Sequence, residues 1–334
     1  MSRKKLSVPQ HTNWPFFAYG FFKPNELAYN QIRKYCEGQA KEAYVYGRFY
    51  EKDGVPILKN DDIENRGRVV MGAVIKFACS KQEEAYKIIS DMEPPALYRW
   101  TTAIAKRKRT NEKYLVNVLV YAGNNTADGT IPGAECIDER VSYWVCRDDP
   151  LMGAGMNYLR ETYFQPLAEY HRGTRKSVPI FSQGFWGRIF QIQMAYVFLW
   201  TIIDRYKSLK YGLDLKIGDG NIKLESDKYW QDAVYMIGHI LQTNPLDLIT
   251  RGINSRGTQL GESLMDRFYS IRCNAVHRGK AVNNDKAILT QAFMLLYPIM
   301  SYIITCDVHH KADDAKKQLE TDCRAIRSVF RLRR

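Results

Sequence analysis

Apolar residues along this chain keep two different periods, and the change falls near the middle. From residue 14 to 122 they form short runs and alternations. Phe16-Phe17-Ala18-Tyr19 stops at Gly20, as a buried strand does on entering a tight turn. Residues 43–50 are rich in Tyr and Val and lead to Asp53-Gly54, a turn dipeptide. Residues 69–77 and 114–121 are β-branched or alternating, which also predicts strands. Helical spacing appears at residues 27–37, through Leu27, Ile32 and Tyr35, and at 82–92, through Ala85, Ile88 and Ile89. The pattern predicts a mixed α+β domain.

The middle of the chain is polar and loop-like around 124–129, then predicts a helix over 157–171. The cluster 172–179 follows, rich in Arg, Gly, Ser and Pro, and marks a hinge. Beyond it the apolar period is helical. Helices are expected over 186–209, 229–241, 262–277, 285–305 and 312–334, joined by short connections as in a bundle. The domain boundaries are therefore set at 1–145, a connector with a helix at 146–180, and an all-α domain at 181–334. Residues 287–306 are an uncharged run of 20, long enough to span a bilayer. Gln291, Tyr297, Pro298, Ser301 and Tyr302 within it favour a buried core helix, so no membrane partner is expected.

Charge adds a direction. The net charge is +13, of which residues 1–150 supply +4 (23 Lys and Arg against 19 Asp and Glu) and residues 151–334 supply +9 (26 against 17). A basic helical half favours a polyanionic partner, RNA or DNA first. The seven cysteines lack CxxC pairs, which argues against a disulfide scaffold and a zinc module. The cysteines are expected to be reduced, the protein cytoplasmic, and no metal or cofactor is expected. The N-terminal Arg3-Lys4-Lys5 is not followed by an apolar stretch of signal-peptide length.

The candidate chemistry of the basic half is Arg272 and His277, near the end of a predicted helix. Histidine moves protons near neutral pH, and arginine presents a fork of donors that fits a phosphate. Five steps along a helix set the two about 140° apart, whereas Asn274 and His277 share a face. Gly279 ends the helix, so the negative end of its dipole favours protonated His277. Spacing alone leaves open that Arg272 pairs with a carboxylate and His277 caps the helix. The Arg-x4-His motif, set in a helical bundle with Tyr269 before it and Arg278-Gly279-Lys280 after it, resembles the HEPN superfamily over about residues 181–334. That resemblance implies a dimeric, metal-independent ribonuclease. Arg272, His277 and Asn274 would be catalytic, Arg278 and Lys280 would bind RNA, and the products would be a 2′,3′-cyclic phosphate and a 5′-hydroxyl. The family often has its polar residue directly after the arginine; here Cys273 holds that place and Asn274 follows.

The N-terminal part carries an ordered set of segments. They are Phe17 to Pro24 with Tyr19-Gly20, then Ala43, Val45, Gly47, Tyr50 and Pro56, then Asp91-Met92-Glu93-Pro94-Pro95 running to Arg99. Together they resemble the γ-glutamylcyclotransferase-like (AIG2-like) fold, a small mixed β-barrel, over about residues 14–122. The resemblance implies that the Tyr-Gly loop cradles a substrate carboxylate and that Glu93 acts as base while 5-oxoproline is released. It departs from the family at Phe21 and Phe22, where small residues are usual. The pocket residues expected are therefore Tyr19, Gly20, Phe21, Phe22 and Glu93, with Glu93 either a base or a carboxylate partnered by Arg99. Lys106-Arg107-Lys108-Arg109 predicts an exposed basic hairpin tip. The expectation that results is an α+β protein. Its helical half would be a toxin- or defence-type ribonuclease working as a homodimer. Its barrel would sense a small ligand or an antitoxin partner. The alternatives are a γ-glutamylcyclotransferase with a helical dimerisation module, or a non-catalytic interaction protein.

Overall fold

The computed structural model describes residues 5–59, 68–110, 112–124, 130–137, 141–177, 185–212, 217–250, 263–277 and 283–332. Within those, the side chains of Phe185, Trp186, Arg188, Ile217, Thr250, His277 and residues 283–286 are not described. The chain divides into two compact units, Met1–Asp149 with Ser208–Asp214, and Pro150–Lys207 with Leu215–Arg334.

The first unit is a five-stranded barrel built from β1 (Phe16–Ala18), β2 (Lys41–Tyr46), β5 (Val69–Ile75), β6 (Tyr98–Arg107) and β7 (Lys113–Tyr121). It closes in the order β1-β7-β6-β2-β5 and back to β1. Only β1 and β7 run parallel within that ring. A short β9 (Val141–Ser142) adds to β5 in parallel. A second sheet holds β3 (Arg48–Lys52), β4 (Val55–Lys59) and β8 (Glu135–Ile137). The strand expected over 43–50 is thus two strands, parted at Gly47. A Cβ there would meet the Lys59 carbonyl oxygen at 2.7 Å and Leu58 Cδ1 at 2.8 Å, so only glycine lets the chain cross between sheets. The hairpin β3–β4 turns through Asp53 and Gly54 with φ of 51° and 75°, the left-handed pair that a two-residue hairpin loop requires.

Side chains alternate across each strand. Small and β-branched residues, among them Ala43, Val45, Val70, Ala105, Val116 and Val118, fill the narrow interior around Phe17 and Tyr19, all at most 5% exposed. The outer face of β1, β6 and β7 is covered by the helix Gln82–Met92, which begins and ends where the sequence predicts it. Tyr86 on that helix packs edge-on against Phe16, Phe77 and Trp100. Its hydroxyl accepts from Asn117 Nδ2 at 2.9 Å and donates to the Trp14 carbonyl at 2.7 Å, so the buried polar groups are satisfied. The helix expected over 27–37 is shorter, an α-turn at Tyr29–Ile32 followed by a 3₁₀ turn at Arg33–Tyr35.

The second unit is helical. Its helices are Phe185–Tyr211, Ile217–Glu225, Lys228–Leu241, Pro245–Thr250, Leu264–His277, Asn283–Asp307 and Ala312–Val329. The last residues of the Phe185–Tyr211 helix belong to the first unit. A helical run over Leu151–Gly155, Met156–Leu159, Arg160–Phe164 and Gln165–His171 precedes them, with π-helical turns in its first and third parts. From Pro150 the chain belongs to this unit, so the helix expected inside the 146–180 connector is part of the helical core. The terminal helix stops at Val329, not at residue 334.

The apolar run 287–306 is the central core helix. Phe293, Met294, Leu295 and Leu296 are 0% exposed, and 78% of the most apolar stretch is buried inside the unit. Burying each such side chain is worth roughly 1.5–3 kcal/mol. One buried ion pair ties the ends of the unit together. Arg160 Nη2 and Nη1 donate to Asp322 Oδ1 and Oδ2 at 3.1 and 3.3 Å, and Gln318 Nε2 donates to Oδ1 at 2.8 Å. Capping follows local chemistry. Asp227 accepts from Tyr229 N at 3.0 Å to start the helix Lys228–Leu241, and Gln242 ends it in the left-handed region with φ 54°.

Candidate functional site

The helix Leu264–His277 presents Leu264, Met265, Phe268 and Ile271 to the core and turns Asp266 and Asn274 to solvent. Tyr196 of the helix Phe185–Tyr211 fixes it from below, its hydroxyl donating to the Phe268 carbonyl at 2.8 Å. Gln193 donates through Nε2 to the Ala275 carbonyl near the helix end. Arg272 is half-buried on the inner side. Its guanidinium carbon lies 5.8 Å from the Tyr269 ring centroid, and Tyr269 packs edge-on to Trp200 at 5.6 Å. Arg272 Nε is buried and has no hydrogen-bond partner among the described residues. The carboxylate pairing that spacing alone left open for Arg272 does not occur among those residues.

The Arg272 surroundings alternate rings and cations. Lys207 Nζ lies 5.5 Å from the Trp200 ring centroid, bonded to Asn221 Oδ1 and paired with Asp204 Oδ1, each at 2.9 Å. Tyr269 holds its proton more tightly than a free tyrosine. Its hydrogen bond with Cys273 is the first cause and burial the second, with Arg272 opposing both. Asn274 is exposed and lies two residues from Arg272, about 200° round the helix, so those two do not converge. His277 closes the helix; its side chain, Arg278 and Lys280 lie outside the described residues. About 7.5 Å of helix rise separates Arg272 from His277.

The first unit holds a second candidate. Tyr19, Gly20, Phe21, Phe22 and Glu93 line one cavity of about 20 Å³, with Phe16, Ala18, Pro56, Tyr98 and Leu119. It forms where β1 ends beside Glu93, the residue that terminates the helix Gln82–Met92. Gly20 is required here because a Cβ would lie 2.8 Å from Pro56 Cγ. The Tyr19 hydroxyl donates to the Leu119 carbonyl at 2.8 Å and accepts from Leu58 N at 3.2 Å. Burial raises its pKa strongly, the Leu58 N–H opposes, and the Glu93 charge adds to the rise, which puts the carboxylate within electrostatic reach of that hydroxyl. Arg99 lies exposed on β6.

The two phenylalanines are turned into the unit. Phe22 packs edge-on to Phe16 at 6.1 Å and Phe21 edge-on to Trp144 at 5.8 Å. Trp144 is held in turn, because Lys23 Nζ donates to its carbonyl and Glu26 Oε2 accepts from Cys146 N at 2.6 Å. Burial lowers the Lys23 pKa, with Glu26 opposing.

No known protein family, curated protein or solved structure matches this chain. Its function rests on its own residues. Sequence reasoning missed Trp144, Lys23 and Glu26 as neighbours of the pocket. They meet through contacts more than a hundred residues apart, and no local period announces them. It also missed the Lys207–Trp200 layer behind Arg272; the only signal was a lysine and a tryptophan seven residues apart on one helix. Among the described residues no three His, Cys, Asp or Glu side chains gather as a metal site.

Proposed function

We propose that this chain is a metal-independent endoribonuclease of HEPN type, with a γ-glutamylcyclotransferase-like barrel that senses a ligand or partner. The observation that carries the proposal is Arg272. It is a half-buried cation beside an aromatic ring, with a buried donor that has no acceptor among the described residues, on the same helix as His277. A buried unsatisfied donor costs about 1–3 kcal/mol unless a ligand accepts from it. A phosphate oxygen is an acceptor that would relieve it.

In this reading His277 removes the proton from the ribose 2′-hydroxyl and the 2′-oxygen attacks the adjacent phosphorus. Arg272 takes the added negative charge of the five-coordinate phosphorane. The P–O5′ bond breaks, and a second histidine protonates the departing 5′-oxygen. The products are a 2′,3′-cyclic phosphate and a 5′-hydroxyl. Arg278 and Lys280 would hold flanking phosphates. Asn274, exposed beside His277, would orient substrate rather than act with Arg272. The 5′-hydroxyl fragment should accept phosphate from polynucleotide kinase without prior phosphatase treatment. Fragments that need phosphatase first would contradict the mechanism.

The second histidine calls for a second copy of the chain. Phe190 and Met194 are 57% and 62% exposed on one stripe of the helix Phe185–Tyr211, flanking Gln193, which bonds the motif helix; Val276 on that helix is 43% exposed. Light scattering at micromolar concentration should report about twice the 38.8 kDa chain mass. Met194→Asp should shift the protein toward the monomer and lower cleavage in parallel. A monomeric wild type that cleaves RNA would defeat the shared-site part of the proposal.

The placement in the cell would be cytoplasmic and the role that of a toxin or defence effector. The barrel would answer a small regulatory ligand or an antitoxin. A γ-glutamylcyclotransferase activity is the second reading, favoured by the meeting of Tyr19, Gly20 and Glu93 in one pocket. The pocket's size opposes it, since about 20 Å³ admits little more than a water. Release of 5-oxoproline from γ-glutamyl amines should be at background. Robust release that Glu93→Gln abolishes would promote that second reading over the first.

A further inference from the structure

Strand register assembles a second surface on the barrel, apart from the pocket. Lys106 of β6 lies opposite Tyr44 of β2 on one side and Lys113 of β7 on the other. Two residues along, Ile104 lies opposite Leu115, and Tyr46 ends β2 opposite Val69 of β5. Alternation puts Tyr44, Tyr46, Ile104, Lys106, Lys113 and Leu115 on the outer face. The helix Gln82–Met92 covers that face only further up, where Trp100 Nε1 donates to Ser90 Oγ at 3.1 Å and Asn117 Nδ2 to the Tyr86 hydroxyl at 2.9 Å. Below the helix the cover ends. Ile104 is 54% exposed, Leu115 48% and Tyr46 41%.

The chemistry of this face is mixed in a particular way. Tyr44 packs edge-on to Tyr46 at 5.7 Å. The Lys106 ammonium lies 4.7 Å from the Tyr46 ring centroid and donates to its hydroxyl at 3.2 Å. The turn after β6 adds Lys108 and Arg109, both exposed. Among the described residues the nearby carboxylates are Glu42, exposed on β2, and Glu112, which Arg107 and Lys41 engage at 3.6 and 4.0 Å. Among the described residues, cations therefore outnumber free carboxylates there. Lysine is depleted at the centre of protein–protein interfaces, yet here it lies over the Tyr46 ring. Rings with adjoining cations on an open sheet suit a strand whose bases are unstacked and whose phosphates run alongside.

We infer that this face of β2, β6 and β7 binds single-stranded RNA. Bases stack on Tyr46 and lie against Ile104 and Leu115, while Lys106, Lys108, Arg109 and Lys113 meet the phosphates. The site is in the first unit and its binding needs no cleavage, so it does not rest on the nuclease reading. The binding assay uses the His277→Ala chain, with a gel of the oligonucleotide recovered after each titration to verify that it is uncut. Binding of fluorescein-labelled oligouridylate to this chain, followed by anisotropy over a salt series, is the test. Adding Tyr46→Ala should weaken binding about tenfold, the loss of one stacked base. Adding Lys106→Ala or Lys113→Ala should each reduce the slope of log affinity against log salt by about one contact. Duplex RNA of equal length should compete poorly, because its bases are stacked inside. These side chains lie on the surface, and an unchanged thermal melt verifies that the variants fold. Affinity and slope unmoved in all three variants overturn the inference. Displacement by polyglutamate as effective as by unlabelled oligouridylate also overturns it, and assigns the face to an acidic protein.

Discussion

Asp322→Ala should destabilise the helical unit by about 3–5 kcal/mol, the cost of removing one member of a buried ion pair. Asp322 is 3% exposed and Arg160 25%, so the deletion strands a guanidinium that has little access to water. It also frees Gln318, the third member of the cluster. Asp322→Asn keeps an acceptor for Arg160 and should cost less. Arg324→Ala, on the exposed side of the same helix, should move the melt by no more than about 0.5 kcal/mol. Burial raises the Asp322 pKa above that of a free carboxyl, with Arg160 and Gln318 opposing. A carboxyl whose folded pKa lies above its unfolded one carries a penalty when ionised. That penalty is present at neutral pH and is relieved as the pH falls through the folded pKa toward the unfolded one. The Asp322→Asn variant, which has no such group, should therefore gain less from mild acidification than the wild type. Thermal melts at neutral and mildly acidic pH measure both effects. A larger gain in the variant would reverse the sign and contradict burial as the dominant cause.

His277→Ala should lower RNA cleavage by about 10²–10⁴-fold, the range for loss of a positioned proton-transfer group. Arg272→Ala should act on the same step through the charge of the phosphorane, with a loss of about 10²–10³-fold. Combining the two should cost less than the product, because both serve one transition state. Arg272→Lys restores charge without the planar fork and should recover only part of the loss. Removing Arg272 deletes a donor that has no acceptor among the described residues, so the fold should not suffer from a lost hydrogen bond. A melt that collapses in Arg272→Ala would mean that its packing on Tyr269 is structural.

Much of the architecture was legible because it depends on local period. The helices Gln82–Met92 and Lys228–Leu241 and the strand Val69–Ile75 match the expected bounds within a residue or two. What failed was what depends on partners far along the chain. Gly47 looked like the middle of one strand, and only the approach of Lys59 from the neighbouring strand makes it a break. Strand β6 escaped because its bounds come from pairing with β7, from Tyr98 opposite Tyr121 to Lys106 opposite Lys113. Residues 151–171 looked like a connector since their partners, Asp322 and Tyr297, lie far downstream; the Tyr297 hydroxyl donates to the Met156 carbonyl at 3.1 Å.

The candidate sites divide in the same way. The pocket was legible as an ordered set of motifs, and Tyr19, Gly20, Phe21, Phe22 and Glu93 do meet. Phe21, which lines it, packs on Trp144, a residue no motif contains. In the helical unit, spacing set Arg272 about 140° from His277 and put Asn274 on the face of His277; Asn274 is exposed and does not converge with Arg272. Spacing gave no hint of the ring-and-cation stack of Tyr269, Trp200 and Lys207 behind Arg272.

Metal-free cleavage by Arg272 and His277 is decided by one comparison. Purified wild type, Arg272→Ala and His277→Ala are each incubated with total RNA in excess EDTA. The wild type should fragment the RNA as it does without EDTA, and neither variant should rise above background at an unchanged melt. Cleavage that EDTA abolishes, or that survives in both variants, would contradict it.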